Sequence, residues 1–167
     1  PVATIPPQVI QAGGSLAYVA RERGQTDIWA VPIGSRNPIR ITNSPEDERD
    51  PVWSHGSLQL AYSSRQEGSN WDIYIYDLLT GITTRKTYNL AFEGRPQWSP
   101  DNLWLVYEGY QTGTHLDLFV MRVDGSETTT RLGASSDASD FSPAWSPDGR
   151  QIAFASWREG NQDIYIF

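Results

Sequence analysis

Short runs in which apolar and polar residues alternate recur along the chain, and each stretch of about 45 residues contains two of them. The paired runs are SLAYVAR with DIWAVPI, LQLAYSS with DIYIYDL, LWLVYEG with DLFVMRV, and QIAFAS with DIYIF. Alternation with a period of two, in runs rich in Ile, Val, Tyr and Phe, predicts β-strands. The chain is therefore expected to consist of antiparallel strand pairs.

A Pro-x-Trp-Ser element precedes the first run of three of these pairs, with its tryptophan at Trp53, Trp98 and Trp145. An aspartate opens the second run of each pair, at Asp27, Asp72, Asp117 and Asp163, with separations of 45, 45 and 46 residues. Weaker runs such as PIRIT and TTRKT follow. A period near 45 residues with four strands, A to D, is typical of propeller blades.

Both faces of the predicted strands are apolar or aromatic, as where Ile164 and Ile166 alternate with Tyr165 and Phe167. Such a sheet must be covered on both sides, and a radial stack of blades achieves this. The sequence thus predicts an all-β protein, a β-propeller of four-stranded antiparallel blades with about four repeats.

The predicted blades span residues 4–43, 48–90, 93–134 and 140–167 of a single module, 1–167. Strand A of the first blade is degenerate. Its residues Pro7, Val9 and Gly13 align with Pro143, Trp145 and Gly149 of the last blade. The last blade lacks strand D. Residues 2–5 (VATI) offer a replacement, but only Pro6 separates them from Pro7, so closure within one chain would be strained. We expect a partial propeller or half-ring, either part of a longer chain or joined to a second copy through its open edges.

The segment PAWSPDGRQIAFASWREGNQDIYIF closely resembles the TolB-type, WD-like propeller repeat. Blade two departs from the repeat with WSHGS in place of Trp-Ser-Pro-Asp-Gly, and blade three has Asn102 for the glycine and Tyr110 in the arginine position. The resemblance implies a noncatalytic scaffold that binds a protein or peptide in the periplasm or outside the cell, although the composition also suits the cytoplasm. Similar repeats occur in propeller domains attached to serine peptidases and in some polysaccharide lyases, which leaves an accessory propeller of a larger enzyme as the alternative.

Composition narrows the partners. Thirteen Lys and Arg against twenty Asp and Glu give a net charge of -7, which disfavours nucleic acid. The chain has no cysteine, so it has no disulfide framework and no thiolate metal site. Its apolar runs are too short to span a bilayer, so membrane insertion is not expected.

Three carboxylates lie five residues before the tryptophans, at Glu48, Glu93 and Asp140. We expect them in the loops from strand D to strand A, on the face that also carries the B to C hairpins, near the channel mouth. There they would form an arc of negative potential, cap local backbone N–H groups, or meet the hairpin arginines. The remaining candidates for this binding face are the hairpin residues Arg21, Arg65, Arg158, Trp71, Tyr110 and Trp157.

The strand C aspartates are expected to be structural, through backbone N–H groups or through the same hairpin arginines, and the three aromatic candidates would support carbohydrate binding if exposed. Catalysis has little support, because His55 and His115 fall at opposite ends of the blades and known catalytic motifs are missing from the sequence. The spacing of the acidic residues in PEDERD and SSDASD does not fit an EF-hand calcium-binding loop. The sequence therefore predicts a protein that is not an enzyme and has no metal or cofactor.

Overall fold

The structure is a computed structural model of the chain, and it describes residues 14–22, 24–56, 58–65, 70–110, 115–126, 128–132 and 138–167. Regular structure in these residues is all β-strand, so the all-β prediction is confirmed. The described residues contain no helix that is long and apolar enough to cross a membrane.

The described residues form fourteen strands in four antiparallel sheets, and in each sheet the strands pair in chain order. Blade 1 comprises β1 (Ser15–Glu22), β2 (Gln25–Pro32) and β3 (Ile39–Arg40). Blade 2 comprises β4 (Glu48–Trp53), β5 (Gln59–Ser64), β6 (Asp72–Asp77) and β7 (Thr83–Arg85). Blade 3 comprises β8 (Glu93–Trp98), β9 (Trp104–Gly109), β10 (Asp117–Arg122) and β11 (Thr130–Leu132). Blade 4 comprises β12 (Asp140–Trp145), β13 (Ile152–Ser156) and β14 (Asp163–Ile166).

This arrangement is that of a partial propeller, as the repeats predict. The strand A predicted for the first blade at Pro7, Val9 and Gly13, and the segment 2–5, lie outside the described residues.

The apolar core lies between the blades and is divided into three clusters. On β6, Ile73 and Ile75 pack against blade 3, whereas Tyr74 and Tyr76 on the opposite face pack against blade 1. The third cluster joins blades 3 and 4, for example through Leu118. Two apolar faces on one strand are therefore both buried by neighbouring blades, which confirms the reason for expecting a radial stack.

Two of the repeated tryptophans, Trp98 and Trp145, connect neighbouring blades through hydrogen bonds. The Trp98 indole N–H donates to the Val52 carbonyl at 3.2 Å, and the Trp145 indole N–H donates to the Gln97 carbonyl at 3.3 Å. Each acceptor lies in strand A of the preceding blade. The indole ring thus contributes a directed bond to the packing of consecutive blades.

Strand A carries the same irregularity in blades 2, 3 and 4. Its pairing with strand B shifts register at Asp50, Arg95 and Ser142, and these three residues have φ values of 54°, 51° and 54°. Proline follows each of them and cannot donate to the ladder. A β-bulge at this position re-aims one side chain and leaves the rest of the strand in register.

The A to B turns contain the expected left-handed residues, Gly56, Asn102 and Gly149, with φ of 88°, 61° and 70°. Asn102 makes an additional connection that a glycine lacks. Its Oδ1 accepts from the His55 backbone N–H at 2.7 Å, and its Nδ2 donates to the His55 carbonyl at 2.9 Å. The turn of blade 3 is therefore clamped to the turn of blade 2.

Candidate functional site

The three carboxylates expected at an exposed rim are buried instead. Glu48 is 0% exposed, Glu93 is 2% and Asp140 is 3%. Each is the first residue of a strand A rather than part of the preceding loop, because its backbone already pairs with the end of strand B. The expected exposure is therefore corrected, and these side chains face into the junctions between blades.

Local polar groups hold these carboxylates. Glu48 accepts a hydrogen bond from the Ser44 hydroxyl, and Glu93 accepts from Asn89 Nδ2 at 2.6 Å. The Arg158 guanidinium donates to both oxygens of Asp140 at 3.0 Å. The carboxylates thereby fix the D to A loops or the hairpin, and the pair of Asp140 with Arg158 agrees with the expected contact with a hairpin arginine.

Glu93 is buried beside Tyr107 of the next strand. Burial raises the pKa of its carboxyl, although hydrogen bonds from Thr87 and Asn89 oppose the shift. The Tyr107 hydroxyl lies 3.4 Å from Glu93 Oε1, and burial together with the charge of Glu93 raises the pKa of that tyrosine. This junction therefore favours the protonated form of Glu93.

The strand C aspartates do not pair with the hairpin arginines. Their partners are arginines of strand D in the same blade, with N to O distances of 2.6, 3.0 and 2.5 Å for Asp27 and Arg40, Asp72 and Arg85, and Asp117 and Arg131. Antiparallel pairing with strand D brings each arginine near the start of strand C, as the register of Tyr74 with Arg85 illustrates. A hydroxyl two residues after the strand D arginine also contacts strand C. The Thr87 hydroxyl, for example, accepts from the Ile73 backbone N–H.

The hairpin arginines hold the hairpins to the D to A connections. Arg65 donates to Asp47 at 3.0 Å, and Arg158 binds Asp140 as described. Arg21 is exposed. Asp47 also accepts from the backbone N–H of Thr26, which is the main reason its pKa is lowered.

The aromatic candidates do not form one cluster. Trp71 is half-buried, and the guanidinium carbon of Arg49 lies 3.9 Å from its ring centroid. Arg49 also lies over the Phe92 ring at 5.1 Å, and Phe92 contacts Tyr110 edge to face at 6.0 Å. Trp71 and Tyr110 thus share one neighbourhood. Trp157, which is 49% exposed, belongs to the hairpin of blade 4.

The strand A bulges create a site that the sequence reasoning missed. Asp50, Arg95 and Ser142 line one cavity of about 440 Å³ together with Pro51, Pro143 and Gln97. Strand A of each of these blades contacts strand A of the next, so the three bulges bring equivalent side chains of three consecutive blades to this one cavity, which we call the channel. Proline inside a predicted strand was the available signal, since proline within sheets is confined to edges and bulges.

Side chains of strand B support two of these bulges. The Ser63 hydroxyl accepts from the Arg95 backbone N–H at 3.2 Å and donates to Asp50 Oδ2 at 3.3 Å. At the same position in blade 3, Glu108 accepts from the Ser142 backbone N–H at 2.7 Å and from Arg95 Nη1 at 3.3 Å. Strand B of the preceding blade therefore holds the backbone N–H groups of Arg95 and Ser142, whereas the side chains of Asp50 and Arg95 contact strand B of their own blade.

The histidines do not meet. His55 lies in the A to B turn before β5, and His115 lies in the B to C hairpin before β10. Within the described residues, no three acidic, histidine or cysteine side chains come close enough to bind one metal ion.

Comparison with known proteins places the chain in a family. Residues 2–129 match the family model "TolB beta propeller domain". The protein TolB homolog of Chlorobium chlorochromatii is 34% identical over 146 residues, which cover 87% of this chain and 32% of that protein. The Tol-Pal system protein TolB of Syntrophus aciditrophicus is 42% identical over 45 residues, 27% of this chain and 10% of that protein.

Solved structures agree. A TolB structure from Agrobacterium tumefaciens superposes with a TM-score of 0.79 at 25% identity, covering 93% of this chain and 57% of that one. Two enzymes share the fold alone: an oligogalacturonate lyase at 22% identity and TM-score 0.62, and a puromycin-hydrolysing peptidase of Mycobacterium tuberculosis at 16% and 0.67. This chain covers 40% of the lyase and 30% of the peptidase, which is well under two thirds of either protein. The family match covers most of the chain, and the chain therefore belongs to the TolB β-propeller family.

Proposed function

We propose that the chain is a noncatalytic interaction module that binds a protein or peptide segment at the channel and at the hairpin end of the blades. The observation that carries the proposal is the channel cavity, where Asp50, Arg95 and Ser142 project from equivalent bulges. The three equivalent positions carry one acidic, one basic and one neutral side chain, so charge is distributed asymmetrically across the cavity. A ligand that spans the cavity would therefore be favoured in one orientation.

The family supports an envelope setting for this module. The Syntrophus relative is named as a component of the Tol-Pal system, and we propose that this chain takes part in an assembly of that kind, in the periplasm. Its partner is then a protein rather than nucleic acid, in keeping with the net charge of -7.

The predicted binding residues divide into two groups in this proposal. The side chains at or near the surface, which remain candidates for contact with the partner, are Arg21, Arg65, Arg158, Trp71, Tyr110 and Trp157. The buried carboxylates Glu48, Glu93 and Asp140 act indirectly, because they hold the loops and hairpins that carry those side chains.

The assignment of residues 1–167 to a single module, with blades at 4–43, 48–90, 93–134 and 140–167, is part of the same proposal. On β14, Ile164 and Ile166 are 71% and 64% exposed, whereas the equivalent Ile73 and Ile75 of blade 2 are 0% and 3% exposed. We propose that a further blade covers this face, from a longer chain or a second copy. Light scattering would separate the two, since only the second copy doubles the mass of the particle.

Site-specific photo-crosslinking tests the interaction. A benzoylphenylalanine at Ser142, in the channel, should give a discrete protein adduct in cells of the source organism. The control is the same residue at Leu79, which is 68% exposed in the turn after β6 at the opposite end of blade 2. Equal adducts from both positions, or none from Ser142, would contradict binding at the channel.

The alternative is the accessory propeller of a larger peptidase or carbohydrate-active enzyme. It is supported by the fold shared with such enzymes and by the exposure of Trp157, but the Trp71 ring is already occupied by Arg49. A nucleophile motif such as G-x-S-x-G in the reading frame that flanks this segment would favour this alternative.

A further inference from the structure

Arg49 is a surface arginine whose guanidinium is positioned by aromatic rings from two different segments. Its guanidinium carbon lies 3.9 Å from the Trp71 ring centroid and 5.1 Å from that of Phe92. Arg49 belongs to strand A of blade 2, Trp71 ends the hairpin of that blade, and Phe92 precedes strand A of blade 3. Stacking of this kind restricts the planar group before any ligand arrives. The entropic cost of ordering a long side chain on binding is thereby reduced.

The donors of Arg49 are largely uncommitted. Its Nε lies 3.3 Å from Asp50 Oδ2, and its two terminal nitrogens make no hydrogen bond to any described residue. The side chain is 40% exposed. A guanidinium in this state presents a planar edge of N–H groups, which matches the two oxygens of a carboxylate.

Arg95 provides a second guanidinium in the next blade. Its side chain is 54% exposed, and its contacts with Glu108 are long, at 3.3 and 3.4 Å, whereas the short bond of Glu108 goes to the Ser142 backbone. Burial lowers the pKa of Arg49, and the positive charges of Arg95 and Arg65 lower it further. Arg49 and Arg65 lie over the same Trp71 ring, and Asp50, which contacts Arg49, lines the cavity that Arg95 also lines. The three arginines are therefore neighbours at the hairpin end of the channel.

The surrounding charges select among anions. Asp47, Asp50 and Glu108 formally balance the three arginines, so the patch depends on directed N–H groups more than on net positive charge. A phosphate with nearly two negative charges is repelled by the three carboxylates more strongly than a singly charged carboxylate is. A uronic acid sugar would need an open aromatic face on which its ring can stack. The Trp71 ring does not offer one, because Arg49 and Arg65 both lie over it.

We propose that Arg49, assisted by Arg95, is the receptor for a side-chain carboxylate of the bound peptide segment, an inference that rests on the proposed function. The carboxylate takes two N–H donors from the terminal nitrogens of Arg49 and is approached by Arg95 from the channel side. An acidic residue of the partner is therefore fixed at the hairpin end of the channel, and the rest of its chain extends toward the bulges.

Nuclear magnetic resonance on the ¹⁵N-labelled chain tests the site with N-acetyl-glutamate N-methylamide as the probe, which carries only the side-chain carboxylate, and N-acetyl-glutamine N-methylamide as its neutral isostere. The glutamate compound should produce saturable shifts of the Trp71 indole and Arg49 Nε resonances, and the glutamine compound should not. Arg49→Lys keeps the charge but loses the fork, and should weaken binding about tenfold, the value of one charge-assisted bond. Arg95→Gln should weaken it severalfold. Arg36→Gln, at an exposed arginine in the turn after β2, should leave it unchanged.

Several results would overturn the inference. They are equal shifts with the glutamine compound, wild-type binding by Arg49→Lys, or tighter binding of inorganic phosphate or galacturonate than of N-acetyl-glutamate N-methylamide. If Arg49→Lys fails to fold, Phe92→Leu serves in its place, because it removes one ring over the guanidinium and should also weaken binding. Crosslinking from Ser142 without selective glutamate shifts would retain the proposed function and reject the carboxylate receptor. Selective shifts without crosslinking would reject the proposed function instead.

Discussion

The clamp between the turns of blades 2 and 3 allows a prediction in which hydrogen bonding and backbone strain are separated. Asn102 makes two bonds to the His55 backbone, at 2.7 and 2.9 Å, while its own φ is 61°. Both bonds are exposed to solvent, so each contributes about 0.5 to 1 kcal/mol. Glycine at this position removes both bonds and keeps the backbone unstrained. We expect Asn102→Gly to lower the free energy of unfolding by about 1 to 2 kcal/mol.

Alanine at the same position removes the same bonds and also places a Cβ in the left-handed region. That conformation costs about 1 to 2 kcal/mol for a residue with a Cβ. Asn102→Ala should therefore be less stable than Asn102→Gly by about 1 kcal/mol or more. The equivalent residue of blade 4, Gly149, has φ of 70° and faces Pro100, which lacks an N–H donor. Gly149→Asn is thus a control in which at most one of the two bonds is available.

Urea denaturation followed by tryptophan fluorescence and by circular dichroism measures these differences, and agreement of the two probes checks that unfolding is cooperative. For a chain of this length, 1 kcal/mol corresponds to about 2 to 4 °C in Tm. If Asn102→Gly is as stable as the wild type, the clamp contributes nothing. If the alanine and glycine variants are equally stable, the left-handed backbone is not strained, and the reasoning fails.

Three further predictions concern the junctions between and within blades. Arg85→Met leaves the buried carboxylate of Asp72 without its guanidinium, and should cost about 3 to 5 kcal/mol in urea unfolding. Burial raises the pKa of Glu93 in the folded state, so its stabilising contribution is complete below the unfolded pKa near 4.5 and is lost as pH rises through the folded value. Relative to Glu93→Gln, the wild type should therefore lose stability as the pH rises above that value, and a parallel pH dependence of the two proteins would contradict the shift. Trp98→Phe removes the indole bond to the Val52 carbonyl and should lower the free energy of unfolding by about 1 to 2 kcal/mol, with no loss counting against a role for that bond.

The fold could be predicted from the sequence because the same local pattern occurs in every repeat. Strand C was expected to begin at the repeated aspartate, and it does so at Asp72, Asp117 and Asp163. In blade 1 the strand begins at Gln25, two residues before Asp27. Alternation fixes which residues face the neighbouring blades, and the period fixes how many blades exist, so errors are confined to strand ends.

The side-chain partners were less predictable because they depend on register between strands. Arg65 lies seven residues before Asp72 in the sequence and looked like its partner. The observed partner, Arg85, is thirteen residues away in the sequence. Strand D places Arg85 opposite Tyr74 of strand C, two residues after the aspartate, so its guanidinium reaches the carboxylate. Similarly, Glu93 reads as a loop carboxylate, and its burial results from Tyr107 and Asn89, which approach it from the next strand and the preceding loop.

The bulge supports lead to a final prediction, because one position of strand B bears different chemistry in each blade while the bulge geometry stays constant. Glu108 is 1% exposed and accepts from the Ser142 N–H at 2.7 Å, whereas Ser63 makes bonds of 3.2 and 3.3 Å. Glu108→Ala leaves a backbone donor unpaired and should cost about 1 to 3 kcal/mol, more than Ser63→Ala at about 1 kcal/mol.

Glu108→Gln keeps an oxygen for the Ser142 N–H and loses only the long contact with Arg95, so it should cost less than the alanine variant. Urea unfolding of the three variants gives the order. A serine variant that loses more stability than Glu108→Ala would show that bond length at this position does not determine how firmly the bulge is held. The equivalent position in blade 1 is Val19, whose side chain has no acceptor, and blade 2 nevertheless carries the same bulge at Asp50. The bulges are therefore set by proline and by strand pairing, and the strand B side chain adjusts how rigidly the next blade presents its residue to the channel.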